Sequence, residues 1–277
     1  MSFAELSSKD VHECHQIARR CRDAGADTDN WRQVLLTNLR EFVGAQVIIN
    51  SEIENFGASN SQPTKFIGIH RAGWISDEAE QRWRQYAQSI PVERTPEYPY
   101  LSKFSGKTML LSRNQIWGPN TWYNSHTFNE IHRVCGIDDY VISICPTNIP
   151  NRCTTLWLHK GVGTRDFTPR EQAIISLIHI IINDEIGTYL SAADEPTPSS
   201  LTTRRLEVLA LLIQGDSEKQ IAYQLGIARA TIHDHVLAIY RHWNVSSRGE
   251  LLAKFIGRAK PQLEPALHNP HKNKQIP

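Results

Sequence analysis

The chain has 277 residues, enough for two domains at roughly 100–200 residues each. With 40% apolar, 21% charged and 8% aromatic residues, its composition is that of a globular protein and excludes collagen-like, fully disordered and disulfide-dense classes. The net charge of +1 hides an asymmetry: residues 201–260 carry nine basic and five acidic side chains, whereas residues 1–200 carry nineteen and twenty-three. A basic end behind a weakly acidic body is a modest pointer to nucleic acid.

The longest apolar stretch, Ala173 to Ile182, is about ten residues and includes His179, well short of the roughly twenty needed to cross a bilayer. The opening residues carry Glu5 and Asp10 and lack the basic start and apolar centre of a secretory signal. Cys14, Cys21, Cys135, Cys145 and Cys153 form no spaced framework and read as reduced thiols, so a cytoplasmic protein is expected. His12, Cys14, His15 and Cys21 are soft ligands within one segment, but they lack the paired spacing of a zinc site and read as a solvated helix with incidental His and Cys. There is no glycine-rich phosphate loop, paired-His metal helix or nucleophile elbow, so neither an enzyme, a metal nor a cofactor is expected.

In chain order, Trp31, Val34, Leu35, Leu39 and Phe42 recur at helical spacing, and the β-branched run Val47-Ile48-Ile49 predicts a strand after them. Lys65 to His70 reads as a second strand, Ser76 to Ser89 as an amphipathic helix carrying Trp83 and Tyr86, and Thr108 to Leu111 as a short strand. A helix is predicted around Tyr123 to Val134, followed by Val141 to Cys145 and Thr154 to His159 as two antiparallel strands. Thr168-Pro169-Arg170-Glu171 is a capping box with proline at the first helical position, opening a helix to about Tyr189. Helices interspersed with short strands favour an α+β domain over residues 1–190. Ser191 to Ser200 (SAADEPTPSS) reads as a linker and residues 261–277 as a disordered tail.

Beyond the linker, Thr202 is placed to cap a helix carrying Leu206, Leu209, Leu212 and Ile213 that ends at Gly215. Ser217 with Gln220 is a capping box for a second helix, Gly226 makes a turn, a third helix runs from about Arg229 to Trp243, and Ser247 with Glu250 opens a fourth. That is the layout of a helix-turn-helix unit. Leu201-Thr202, Arg204, Glu207-Val208-Leu209, Gly215, Ser217, Lys219, Ile221-Ala222, Leu225, Ile227, Thr231-Ile232, His235-Val236, Ile239-Tyr240 and Val245-Ser246-Ser247-Arg248 follow one another as in the DNA-binding domain of LuxR-type transcription regulators. Residues 201–260 resemble that family without a gap.

The resemblance implies an all-α four-helix domain that binds double-stranded DNA as a homodimer. It places base reading on His233, Asp234 and Leu237, and phosphate contact on Arg204, Lys219, Arg229 and Arg241. It implies a dimer contact on the fourth helix, where Leu251 and Phe255 are four apart and share a face. The chain departs from the family where His233 stands for a usual Lys or Arg, where Asp234 brings a negative charge to the duplex, and where Thr203 and Arg205 replace proline and glutamate. These departures leave a second reading open, a ligand-binding or protein-interaction module whose helix-turn-helix has lost specific DNA reading.

Proteins of this family carry variable input domains. The adjacent acids Asp138-Asp139 precede a strand instead of ending one, unlike a phosphorylation receiver. The element order of residues 1–190 resembles the PAS/GAF-type fold, also the general plan of acyl-homoserine-lactone-binding domains. Pro91-Val92-Glu93 stands where the lactone receptors have an aspartate-proline pair, which argues against that ligand. Trp74, Trp83, Tyr86, Trp117, Trp122 and Tyr123 either form plain core or line a pocket for a small-molecule effector.

Overall fold

A computed structural model describes residues 5–57, 62–103 and 106–255 of the chain. It divides into two compact units, residues 1–194 and 195–277. The first contains α1 (Ser8–Asp23), α2 (Thr28–Val43), β1 (Val47–Glu54), β2 (Lys65–Ala72), α3 (Asp77–Ser89), α4 (Tyr98–Leu101), β3 (Met109–Ser112), α5 (Arg113–Ile116), α6 (Pro119–Tyr123), a π-helical turn Thr127–His132, β4 (Ile137–Pro146), β5 (Arg152–Gly161) and α7 (Pro169–Glu185). The strands form one antiparallel sheet in the order β2-β1-β5-β4-β3. This is the α+β plan expected from the sequence.

Strand alternation divides the sheet into two faces. Ile48, Val141, Leu156 and Leu158 point to the layer of α1, α2 and α7, where they pack with Leu35, Leu39, Ile174 and Ile178. Val47, Ile49, Ile53, Tyr140, Ile142 and Trp157 point the other way, toward α3, the short helices and the π turn. β1 continues to Glu54, five residues past the predicted run, because its polar side chains on the helical face are all met. Arg32 donates to both Asn50 and Glu52, Asn50 donates to the Thr155 carbonyl at 3.0 Å, and Arg152 donates to Glu52 at 2.9 Å. A buried carboxylate enclosed by guanidinium groups is stable where a lone one is not.

The helix predicted over Tyr123 to Val134 is broken instead, with α6 ending at Tyr123 and the π turn starting at Thr127. Ser125 causes the break, its hydroxyl accepting from the Phe128 backbone N–H at 3.0 Å. α1 is not merely solvated: Cys14, Ile17, Ala18 and Cys21 form its buried stripe, while His12 and His15 lie on its exposed side. α7 stops at Glu185, and the chain then turns along the first unit. The Ser191 N–H donates to the Gly25 carbonyl at 2.8 Å, Trp31 Nε1 donates to the Ser191 carbonyl at 3.0 Å, and Arg152 holds Asp194 with bonds of 2.7 and 3.0 Å. A side chain at Gly25 would strike the Tyr189 carbonyl, 2.1 Å from its Cβ. Residues 191–194, read from sequence as the start of the linker, are thus packed into the first unit.

The second unit is all-α, with α8 (Thr203–Gln214), α9 (Glu218–Leu225), α10 (Arg229–His242) and α11 (Arg248–Phe255). Its buried side chains include Val208, Leu209, Leu212, Ile221, Ile232, Val236, Ile239, Trp243, Leu251 and Phe255. Ser217 and Gln220 form the expected capping box, whereas Thr202 occupies the cap position of α8 without a side-chain bond. The α9–α10 turn needs Gly226, whose φ of 65° is strained for any residue with a Cβ. Residues 256–277, including the predicted tail 261–277, lie outside the described residues.

Candidate functional site

The six aromatic residues singled out in the first unit belong to one layer on the sheet face away from α1, α2 and α7. Trp83 stacks against Trp74 at 5.8 Å and Tyr86 at 5.9 Å, and Trp122 against Trp117 at 5.5 Å. His132, with its ring 5.0 Å from Trp83 and 4.8 Å from Trp122, joins the two groups, and Tyr140 and His159 fill the space beneath. Tyr123 sits at the rim, half-exposed, its hydroxyl bonded to Arg113 and Asp138. Sequence reasoning did not place the two histidines in this layer, because a lone His on a strand or short helix carries no spacing signal.

The layer is apolar in bulk but holds several buried polar atoms. Trp117 Nε1 donates to the Tyr140 hydroxyl at 2.8 Å, which donates to Glu97 Oε1 at 2.7 Å, and burial raises the Glu97 carboxyl above the usual carboxylate range. Burial drives His132 well below the ordinary imidazole range and His159 to about 3, so both rings are neutral. Trp74 Nε1, His132 Nδ1, both ring nitrogens of His159 and the Thr155 hydroxyl have no protein partner. Each unmet buried group costs about 1–3 kcal/mol, so this face favours a polar guest or ordered water that meets them. The five cysteines are buried and free, and burial pushes Cys14 and Cys21 up to about 12. Among the described residues, no cluster of His, Cys, Asp and Glu is placed to hold a metal.

In the second unit, α10 turns Ile232, Val236 and Ile239 inward and leaves Arg229, His233, Asp234, Leu237 and Arg241 exposed. Leu237 is 43% exposed, a large apolar side chain offered to solvent. Glu218, the first residue of α9, faces this row, with Oε1 3.2 Å from His233 Nδ1 and Oε2 3.9 Å from Arg229 Nε. An acid in the first turn of a helix reads from sequence as a partner for the helix dipole, so its second role across the turn was invisible there. Tyr223, 89% exposed on α9, is a further outward aromatic that periodicity alone did not mark.

Residues 199–255 match the model of bacterial regulatory proteins, luxR family. They form a LuxR-family helix-turn-helix domain. The chain is 49% identical over 49 residues to the glycerol metabolism activator of Pseudomonas putida, covering 18% of this chain and 22% of that protein. It is 38% identical over 73 residues to the nitrate/nitrite response regulator protein NarP of Escherichia coli, covering 24% and 34%. The chain thus spans only 22% and 34% of the length of these curated relatives. The family and these relatives are regulators, not enzymes. The crystal structure of Escherichia coli SdiA aligns with 90% of this chain and 97% of its own at 12% identity and a TM-score of 0.40.

Within the LuxR-family domain, Lys219, Arg229 and Arg241 are exposed cations, as a phosphate contact requires. Arg204 is engaged within the unit: its guanidinium donates to Glu207 at 2.6 Å and to the Leu225 carbonyl at 2.8 Å, tying α8 to the end of α9. Arg248 does the same for α8, donating to the carbonyls of Leu212 and Asp216. The pair chosen for dimer contact is engaged within the unit too. Leu251 is fully buried and Phe255 nearly so, packed edge-on against Trp243 at 5.5 Å, because a short fourth helix must turn its apolar side to the small core it closes.

Proposed function

We propose that this chain is a sequence-specific DNA-binding transcription regulator of the cytoplasm, acting as a homodimer on DNA, whose first unit senses a small molecule. The observation that carries the reading is the outer face of α10. It offers His233, Asp234 and Leu237 side by side, flanked by Arg229 and Arg241, on a helix whose other side is locked into the core. Such a face fits a major groove, with cations at its ends for phosphate and polar tips between them for base edges. Sensing is supported by the aromatic layer, where buried hydrogen-bonding atoms of Trp74, His132 and His159 lack protein partners. No helix among the described residues is long and apolar enough to cross a membrane.

The test is selection of bound duplexes from a random pool by the full chain. The expected product is a two-fold motif with half-sites about one helical turn apart. Binding that shows only a salt-dependent, sequence-blind component would favour the other reading, an interaction module that no longer reads DNA. Denaturing the purified chain and identifying any released small molecule by mass spectrometry tests the sensing half separately.

A further inference from the structure

The outward groups of α10 differ in hydrogen-bonding sense from those of a basic recognition helix. A carboxylate only accepts, so with Glu218 Oε1 at 3.2 Å from His233 Nδ1 the ring proton sits on Nδ1. When the ring is neutral its outer atom, Nε2, is an acceptor. His233 is 56% exposed, so that atom is open to an approaching groove. Asp234, its exposed neighbour, carries two more acceptor oxygens and no donor. Leu237, one turn on, offers only carbon.

We infer that α10 reads exocyclic amino groups, the N4 amine of cytosine or the N6 amine of adenine, through His233 and Asp234, with Glu218 as the positioning residue that fixes the acceptor face of His233. In the major groove these amines are the donors, whereas guanine N7 and O6 and thymine O4 are acceptors that this pair repels. Leu237 adds apolar contact suited to a thymine methyl. Glu218 also lies 3.9 Å from the exposed Arg229. Glu218 therefore draws off part of the positive potential near the groove while setting the tautomer, giving up non-specific affinity for selectivity. The inference rests on the DNA-binding reading above.

The experiment is duplex selection at about pH 8.5, where imidazoles in general are neutral, with the full-length parent and the variants His233→Ala, Glu218→Gln and Glu218→Asp. The parent should select one base pair at a position that His233→Ala leaves unselected. Replacing the cytosine or adenine of that pair by an analogue without the major-groove amine, pyrimidin-2-one for cytosine or 2-aminopurine for adenine, should weaken parent binding about fivefold or more. Glu218→Gln preserves shape but lets the ring take either tautomer, and should relax that one position while tightening binding to random duplex. Glu218→Asp keeps the charge in the first turn of α9 but shortens its reach, and should relax the same position with the fold intact. A purely structural role for Glu218 would weaken all positions together. Ring 15N shifts of the free full chain should place the His233 proton on Nδ1. Undiminished parent binding when the amine is removed from the His233-dependent pair, an unchanged consensus in His233→Ala, or a proton on Nε2 would overturn the inference while leaving DNA reading intact. A parent that enriches no sequence would instead sink the DNA-binding reading itself.

Discussion

Leu251→Ala distinguishes a core role from a surface role for α11. The side chain is fully buried among the helices of the second unit, so truncation removes apolar atoms and leaves a cavity. Leu→Ala changes at such sites cost about 3–5 kcal/mol when the surroundings cannot collapse. A unit of about sixty residues has a stability on the order of 3–9 kcal/mol, so this single change removes a third of it or more. Trp243 is the one tryptophan beyond residue 194, and it packs on Phe255 near the truncation. In full-length protein labelled with fluorotryptophan, its 19F resonance reports unfolding of this unit alone. The urea midpoint of that resonance should fall sharply in Leu251→Ala, while the resonances of the other six tryptophans keep theirs. A midpoint shift worth less than about 1 kcal/mol, accompanied by loss of pairing on DNA, would show that the side chain serves an interface after all.

Arg204→Ala should cost about 1 kcal/mol of stability through its lost bond to the Leu225 carbonyl and leave the salt dependence of DNA binding unchanged. Arg229→Ala should instead lower the salt slope by about one, and equal slopes for the two variants would return Arg204 to phosphate contact. Asp234→Ala should tighten binding to random duplex, measured as a lower Kd at low salt, because it deletes a negative charge beside phosphate. Burial holds His159 and His179 at about 3, so the folded unit refuses protons that the unfolded chain takes up near pH 6.5. Stability is therefore complete above about pH 6.5 and falls from there toward pH 3, by up to about 1.4 kcal/mol per pH unit for each ring. Asp139, raised to about 6 chiefly by burial, and Glu97, raised by burial, oppose this, but His132, which burial also lowers, adds to the two rings. Urea midpoints that stay level between about pH 7.5 and pH 5 would contradict the neutral burial of these rings. Glu52→Ala leaves the Arg32 guanidinium buried without its carboxylate and should destabilise the first unit by about 3–5 kcal/mol, with faster proteolysis around residues 191–200 as the readout.

The helix-turn-helix was legible because its signals are local. Capping at Ser217, glycine turns at 215 and 226, and inward Ile232, Val236 and Ile239 at a period of 3.6 are all written within a few residues of where they act. The strands were legible as centres but not as lengths, since Asn50, Glu52 and Arg152 interrupt the apolar pattern and are stable only through partners elsewhere. Arg152, for example, bonds to Glu52 at 2.9 Å and to Asp194 at 2.7 Å. No propensity reports such a partner.

For this protein the sequence by itself determined the two-part plan, the class of each part and which residues of α10 turn outward, because hydrophobic period and turn chemistry are properties of neighbouring residues. Tertiary structure alone decided what the polar side chains do. Arg204 and Arg248 became helix ties, Leu251 and Phe255 became core, residues 191–194 became part of the first unit, and Glu218 met His233 across a turn. Each of these outcomes depends on which atoms arrive from a distant part of the chain, and a charge or a leucine has the same local signature whether it finds water, a carbonyl or a neighbouring ring.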